Sequence, residues 1–125
     1  MYQEHKYTEL IGKTFSAVEN VGGEKLIFTT KDGGKYKFFH DQDCCESVTI
    51  EDIVGDLDDL VGSPIIMAEE VTHENENPKG VEVPEWQDSF TWTFYKFATA
   101  KGYVTVRWYG ESNGYYSEQV DFKAC

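Results

Sequence analysis

Alternation of apolar and polar residues with a period of two runs through most of this chain, and it is clearest in the last third. In SFTWTFYKFATAKGYVTVRWYGESNGYYSEQVDF (Ser89 to Phe122), Phe90, Trp92 and Phe94 alternate with Thr91, Thr93 and Tyr95. Val104, Val106 and Trp108 alternate with Thr105, Arg107 and Tyr109. Successive side chains of a strand point to opposite faces, so this pattern predicts strands with one packed and one wetted face. Lys101-Gly102 predicts one turn, and Asn113-Gly114 predicts a type I′ turn, in which both central residues take positive φ. Tyr116, Val120 and Phe122 would then finish one face of a third strand, with Tyr115, Ser117 and Gln119 on the other.

The same signals place elements upstream. Tyr7, Leu10 and Ile11 have helical spacing within Gln3 to Lys13, with Thr8 as a candidate cap and Gly12 as the stop. Thr14 to Asn20, Lys25 to Thr30 and Lys35 to His40 read as three strands. Val21-Gly22-Gly23 and Asp32-Gly33-Gly34 form the turns between them, and Tyr36 and Phe38 share a face. Ser47 to Val54 reads as a strand. Leu57, Leu60 and Val61 predict a short helix whose acidic start suits the helix dipole, stopped by Gly62 and Pro64. Pro64 to Val71 reads as a further strand, and His73 to Trp86 (HENENPKGVEVPEW) as a surface loop. The expected fold class is α+β, mostly β: antiparallel meanders forming one sheet or a small sandwich, with a short N-terminal helix and one short central helix. The expectation is a single domain over residues 1–125.

Composition narrows the function classes. A hydrophobic content of 40% with 15% aromatics suits a folded β-rich domain. The apolar runs are too short for a membrane-spanning helix, and MYQEHKYTEL lacks the basic-then-apolar pattern of a signal peptide. Adjacent Cys44 and Cys45 make a poor disulfide framework, which points to a reducing cytoplasm. Asp and Glu number 23 against 11 Lys and Arg, a formal net charge of -12. Such a field repels nucleic acids and anionic membranes and attracts basic surfaces. Direct nucleic-acid and membrane binding are therefore not expected.

Three groups of residues could carry chemistry. His40, Asp41, Asp43, Cys44, Cys45 and Glu46 crowd into one turn. Their spacing fits no familiar zinc site, His5 and His73 lie in end or loop regions, and no metal or cofactor is expected. A nucleophilic Cys44 or Cys45 served by His40 would lack an orienting third group. The turn reads instead as one in which Asp41 or Asp43 caps backbone amides and one cysteine packs inward. The second group, Arg107, Trp108, Tyr109, Glu111, Asn113, Tyr115 and Tyr116, has the composition of a recognition surface, on which a base could stack while Arg107 balances a phosphate. The competing reading puts Trp108 and Tyr116 in the core. The third group is acidic, with Asp56, Asp58, Asp59, Glu69 and Glu70 among its members. It lacks the loop and glycine of a calcium site, and it suits either a solvated face or an imitation of phosphate spacing.

The segments HDQDCCESVTIEDIVGDLDDLVGSPI (His40 to Ile65) and FTWTFYKFATAKGYVTVRWYGESNGYYSEQVDF (Phe90 to Phe122) resemble a family of small acidic proteins of bacteriophages and prophages, of uncharacterised function. The resemblance implies a protein acting in the cytoplasm of an infected bacterium, and it carries no catalytic residue. It implies that the His73 to Trp86 loop is where family members differ most. The expected function is a phage-encoded, non-catalytic counter-defence protein that binds a host defence protein. Asp56, Asp58, Asp59, Glu69 and Glu70 would steer the encounter and the Trp108 to Tyr116 hairpin would anchor it. The alternative is a sponge for a small nucleotide immune signal, in a pocket of Trp108, Tyr109 and Tyr116 walled by Arg107, His40 and Asp43. A homo-oligomer interface would favour that alternative. A third reading is an enzyme built on His40, Cys44, Cys45 and Glu46.

Overall fold

A computed structural model describes residues 6–84 and 86–124. Eight strands are present: β1 (Phe15–Val21), β2 (Lys25–Thr30), β3 (Lys35–Phe39), β4 (Ser47–Val54), β5 (Met67–Glu74), β6 (Ser89–Thr99), β7 (Gly102–Ser112) and β8 (Asp121–Ala124). They form two four-stranded sheets, ordered β1-β2-β3-β8 and β4-β7-β6-β5. Every strand pairing is antiparallel. The meander β1-β2-β3 follows the expected alternation, with Leu26, Phe28 and Phe38 all fully buried.

Aromatic rings join the two sheets. Phe28 lies 5.2 Å from Phe97, and Phe38 lies 4.6 Å from Tyr95 and 5.6 Å from Phe97. Each such side chain contributes about 1.5–3 kcal/mol by leaving water, with a further ~1 kcal/mol for a well-placed ring pair. Val104, Val106 and Trp108 of β7 complete the core with Leu10, Phe15, Leu60 and Ile65.

Neither expected helix forms among the described residues. Tyr7–Leu10 and Leu57–Leu60 are single 3-10 turns, and Gln3 to His5 lie outside the described residues. Extended pairing claims the backbone after each turn. Ile11 bridges Ile65, and the Gly12 amide donates to the Ile65 carbonyl at 2.7 Å. Val61 bridges Phe15, and the Gly62 amide donates to the Phe15 carbonyl at 2.9 Å. The strand expected at Pro64 to Val71 starts later, at Met67, and continues through His73 and Glu74, which pair with Trp92 and Thr91.

The three-stranded final meander is also corrected. β6 and β7 pair as expected, but the chain then leaves for the other sheet, where β8 pairs with β3. The far edge of β7 is already occupied by β4, so no edge is open to a third strand. Residues 113–120 cross over the inner face of β7 instead. Gly114 has a positive φ of 95°, whereas Asn113 does not, so the turn is not type I′.

The packed face of β6 is the one opposite to expectation. Cross-strand partners share a face, and Phe94 pairs with Arg107 while Tyr95 pairs with Val106. Thr91, Thr93, Tyr95 and Phe97 therefore look inward, and Phe90 and Trp92 look outward. Trp92 is nevertheless only 1% exposed. Its indole Nε1 donates to Asn77 Oδ1 at 2.9 Å, and Asn77 and Gln87 exchange two amide hydrogen bonds. The loop between β5 and β6 thus roofs Trp92 on the outer face.

Candidate functional site

The His40 to Glu46 turn is built around a buried ion pair. The side chains of His40 and Glu46 are 3% and 0% exposed, and Nε2 meets Glu46 Oε2 at 2.7 Å. His40 Nδ1 lies 2.7 Å from the Gln119 carbonyl oxygen, which can only accept. Both ring nitrogens thus donate, and the ring is an imidazolium when both bonds are made. Burial alone would lower the His40 pKa, but the bonds to Glu46 and Gln119 outweigh it and raise it. For Glu46, burial alone would raise the pKa. Donation from His40 and from the amides of Asp43 and Cys44, both at 2.8 Å, instead takes it down to about 2.

Glu46, not Asp41 or Asp43, is therefore the residue that caps the turn. The Asp41 amide donates to Asp121 Oδ2 at 3.0 Å, a second tie to the segment before β8. Neither cysteine packs inward: Cys44 and Cys45 are exposed and joined to each other as a vicinal disulfide. Both His40 nitrogens are engaged, by Glu46 and by the Gln119 carbonyl, so neither is left to take a proton from Cys44 or Cys45. Among the described residues no cluster suited to a metal ion occurs.

The His40–Glu46 pair sets a pH window. His40 has a raised pKa, so its contribution to stability is complete below its unfolded value of 6.5 and is lost as pH rises through the folded value. Glu46 has a lowered pKa, so its contribution is complete above 4.5 and is lost as pH falls towards about 2. Thermal melts should show this pair's stabilisation in full between pH 4.5 and 6.5 and fading on the alkaline side. His40→Gln should flatten that alkaline decline. An unchanged alkaline limb in the variant would show that the ion pair does not set it.

A cleft of about 660 Å³ opens between the inner face of β5 and β6 and the crossing segment 116–120. Glu70, Glu74 and Glu118 line it together with Thr91, Thr93 and Tyr95. Glu118 is fixed from two strands: Thr91 Oγ1 donates to its Oε1 at 2.7 Å and Ser112 Oγ to its Oε2 at 2.5 Å. Tyr95 OH donates to Glu70 Oε2 at 2.6 Å, and burial, followed by Glu70, pushes the phenol pKa up. The phenol therefore stays a donor, and Glu70 an acceptor.

The residues singled out from the sequence fall in separate places. Glu70 and Tyr116 meet at the cleft. His40 and Asp43 line a smaller neighbouring pocket of about 340 Å³ beside Glu46 and Asp121. Asp56 caps the Asp58 amide at 2.9 Å, and the Asp59 carbonyl accepts from Thr99 at the far end of β6. That end is roughly 27 Å along the strand from Thr91, by strand rise. Glu69 lies on the opposite face of β5 from Glu70. Arg107 is on the outer face, paired with Glu51 and Asp52 and set over the Trp92 ring at 5.8 Å. Tyr109 packs 4.5 Å from Trp92 and Glu111 pairs across from Ser47, whereas Trp108 is fully buried in the core. Asn113 caps the Tyr115 amide at 3.0 Å, and Tyr115 itself is 88% exposed.

Sequence reasoning missed Glu118, Thr91, Thr93 and Ser112. The available signal was a run of hydroxyl residues at alternate positions of β6, which looks like a wetted face until the register is known.

Charge divides along the same lines as the sheets. Residues 41–120, which hold the whole β4-β7-β6-β5 sheet and its connections, carry 17 of the 23 acidic residues and four of the 11 basic ones. Lysines gather on the other sheet, where Lys37 and Lys123 sit over the Phe39 ring at 4.6 and 5.5 Å. No helix of the described residues is long and apolar enough to cross a membrane.

No curated protein and no solved structure matches the chain. A family model described as "Domain of unknown function (DUF7448)" matches residues 8–122, from the first 3-10 turn into β8, and the chain belongs to that family.

Proposed function

We propose that this chain is a phage-encoded, non-catalytic binding protein that docks its acidic half onto the basic, nucleic-acid-binding surface of a host defence protein in the bacterial cytoplasm. The segregation of charge carries this reading. A net charge of -12 spread evenly would serve solubility alone, but 17 acidic residues concentrated in the segment that builds one sheet and its loops create a directed field. Asp56 and Asp58 are exposed at one end of that sheet, and Glu69, Glu70 and Glu74 lie along its β5 edge. The hairpin anchor moves: Trp108 belongs to the core, and among the described residues the exposed aromatics of the acidic half are Trp86, Tyr103 and Tyr115.

The nucleotide-sponge alternative has less support. Arg107 is already paired with two carboxylates, Trp108 is not free to stack, and the cleft of about 660 Å³ has no lysine, arginine or histidine in its wall.

The reading is tested with the immobilised protein and bacterial lysate, eluting with a salt gradient and then with duplex DNA. The expected partner is a nucleic-acid-binding protein that duplex DNA displaces. Its affinity should fall about 100-fold between about 0.05 and about 0.2 M salt, as for a multi-phosphate contact. Replacing Asp56, Asp58 and Asp59 together by asparagine should slow association by about tenfold at low salt. Binding indifferent to salt and to DNA would sink the proposal.

A further inference from the structure

We infer that the cleft between the inner face of β5–β6 and segment 116–120 is a binding site for an organic cation with spaced N–H donors, such as a linear polyamine or a lysine or arginine side chain. This goes beyond the docking reading, because it assigns one cleft and the ligand chemistry that fits it.

The wall composition states the charge of the ligand. Glu70, Glu74 and Glu118 line the cleft, and no lysine, arginine or histidine lines it to balance them. Glu118 is held in place by Thr91 and Ser112, and Glu70 by Tyr95, so two of these carboxylates are preset rather than swinging in solvent. A carboxylate already ordered by its neighbours binds a donor at a smaller entropy cost.

A second, independent observation comes from Thr93. This residue is 4% exposed, lies between Thr91 and Tyr95 on the inward face, and lines the cleft. Its hydroxyl makes no side-chain hydrogen bond among the described residues and is not sealed from solvent, so it opens onto the cleft as an acceptor. The cleft wall thus holds an acceptor that the protein does not use, next to unbalanced negative charge.

Spacing selects the kind of cation. No group of three carboxylates among the described residues converges as a metal site requires. The charge must therefore be met at separated points, which suits ammonium or guanidinium groups on an extended chain. A volume of about 660 Å³ accommodates such a chain, and falls within the ~300–1,000 Å³ usual for small-ligand pockets.

The experiment is calorimetric titration of the purified protein with spermidine, with amide chemical shifts followed by NMR. Saturable one-to-one binding is expected, with shifts centred on Thr91, Thr93 and Ser117. Glu118→Gln should weaken it by at least about tenfold, the usual cost of removing one charged hydrogen-bond partner. Because Glu118 also holds the crossing segment, the double variant Glu70→Gln/Glu74→Gln serves as an independent probe and should weaken binding similarly. Glu19→Gln/Glu24→Gln, exposed on the other sheet and outside the cleft, should bind as the parent protein does. A parallel titration with Nα-acetyl-lysine methylamide separates the two sources. Tighter spermidine binding assigns the site to a free polyamine, and comparable binding assigns it to a protein side chain. Absence of spermidine binding, or equal loss in the Glu19/Glu24 variant, overturns the inference. Either result leaves the docking reading to its own salt and DNA test.

Discussion

Phe38→Ala is expected to lower the unfolding free energy by about 3–5 kcal/mol, the range for removing a buried aromatic ring. Phe38 is fully buried on β3, and its ring sits within 4.6 Å of Tyr95, 4.8 Å of Phe122, 5.6 Å of Phe97 and 5.9 Å of Phe28. Those neighbours come from β2, β8 and β6, so one ring touches both sheets and the returning C-terminal strand. Its loss leaves a void that no single element can collapse into. Since domains of this kind are stable by only about 5–15 kcal/mol, the variant should approach the limit of folding at 37 °C. Urea unfolding measures the effect, with Lys37→Ala as the control on the outer face of the same strand, expected within about 0.5 kcal/mol of the parent. A loss below about 1 kcal/mol would show that Phe38 is not the hinge of the core.

The parts of the fold that were legible in the sequence are those decided locally. Lys25 to Thr30 and Ser47 to Val54 coincide with β2 and β4, because alternation and flanking turn residues act within a few positions. What escaped was decided at a distance. Nothing near Tyr116 to Phe122 records that β4 has already taken the free edge of β7, so the last strand was assigned to the wrong sheet. The inward face of β6 was misread because both of its faces carry large residues. Alternation tells a packed face from a wet one only when one face is wet, and here the loop after β5 covers Trp92. Both expected helices had helical spacing, but bridges to Ile65 and Phe15 captured their backbones after four residues.

The candidate site divides in the same way. The crowding of His40, Asp43 and Glu46 was visible, yet which carboxylate caps the turn depends on burial, and Glu46 is the one that is buried. Glu70 and Tyr116 were singled out for other reasons and prove to share a cleft. Glu118 gave no local sign, since an acid in a loop is ordinary, and the alternating hydroxyls that include Thr93 read as a wetted face until the crossing segment brings the two together.

That crossing segment can be displaced by one methyl group. A Cβ added at Gly110 would stand 2.8 Å from the Glu118 carbonyl oxygen, 3.0 Å from Glu118 Cβ and 3.2 Å from Val48 Cγ2. The first contact is backbone, and Glu118 is held by Thr91 and Ser112, so no flexible side-chain end can yield. Gly110→Ala is therefore expected to lift residues 116–120 off β7. The cost to stability should be about 1–3 kcal/mol, as for overpacking in a well-filled site. The effect on the cleft should be larger, because its wall moves and takes Glu118 with it: spermidine affinity should drop by at least about tenfold. Hydrogen exchange at the Gly114 and Gln119 amides, now bonded to Ser112 and Ser117 hydroxyls, should accelerate in the same variant. Gly114→Ala is the contrast. Nothing lies within 4 Å of its added Cβ, and its cost comes from the positive φ of 95°, about 1–2 kcal/mol. It strains the turn yet leaves the approach of Glu118 to β7 intact, so spermidine binding should survive. If Gly110→Ala kept parental affinity and slow exchange, β7 would have to be yielding instead, and the wall of the cleft would not depend on the missing side chain.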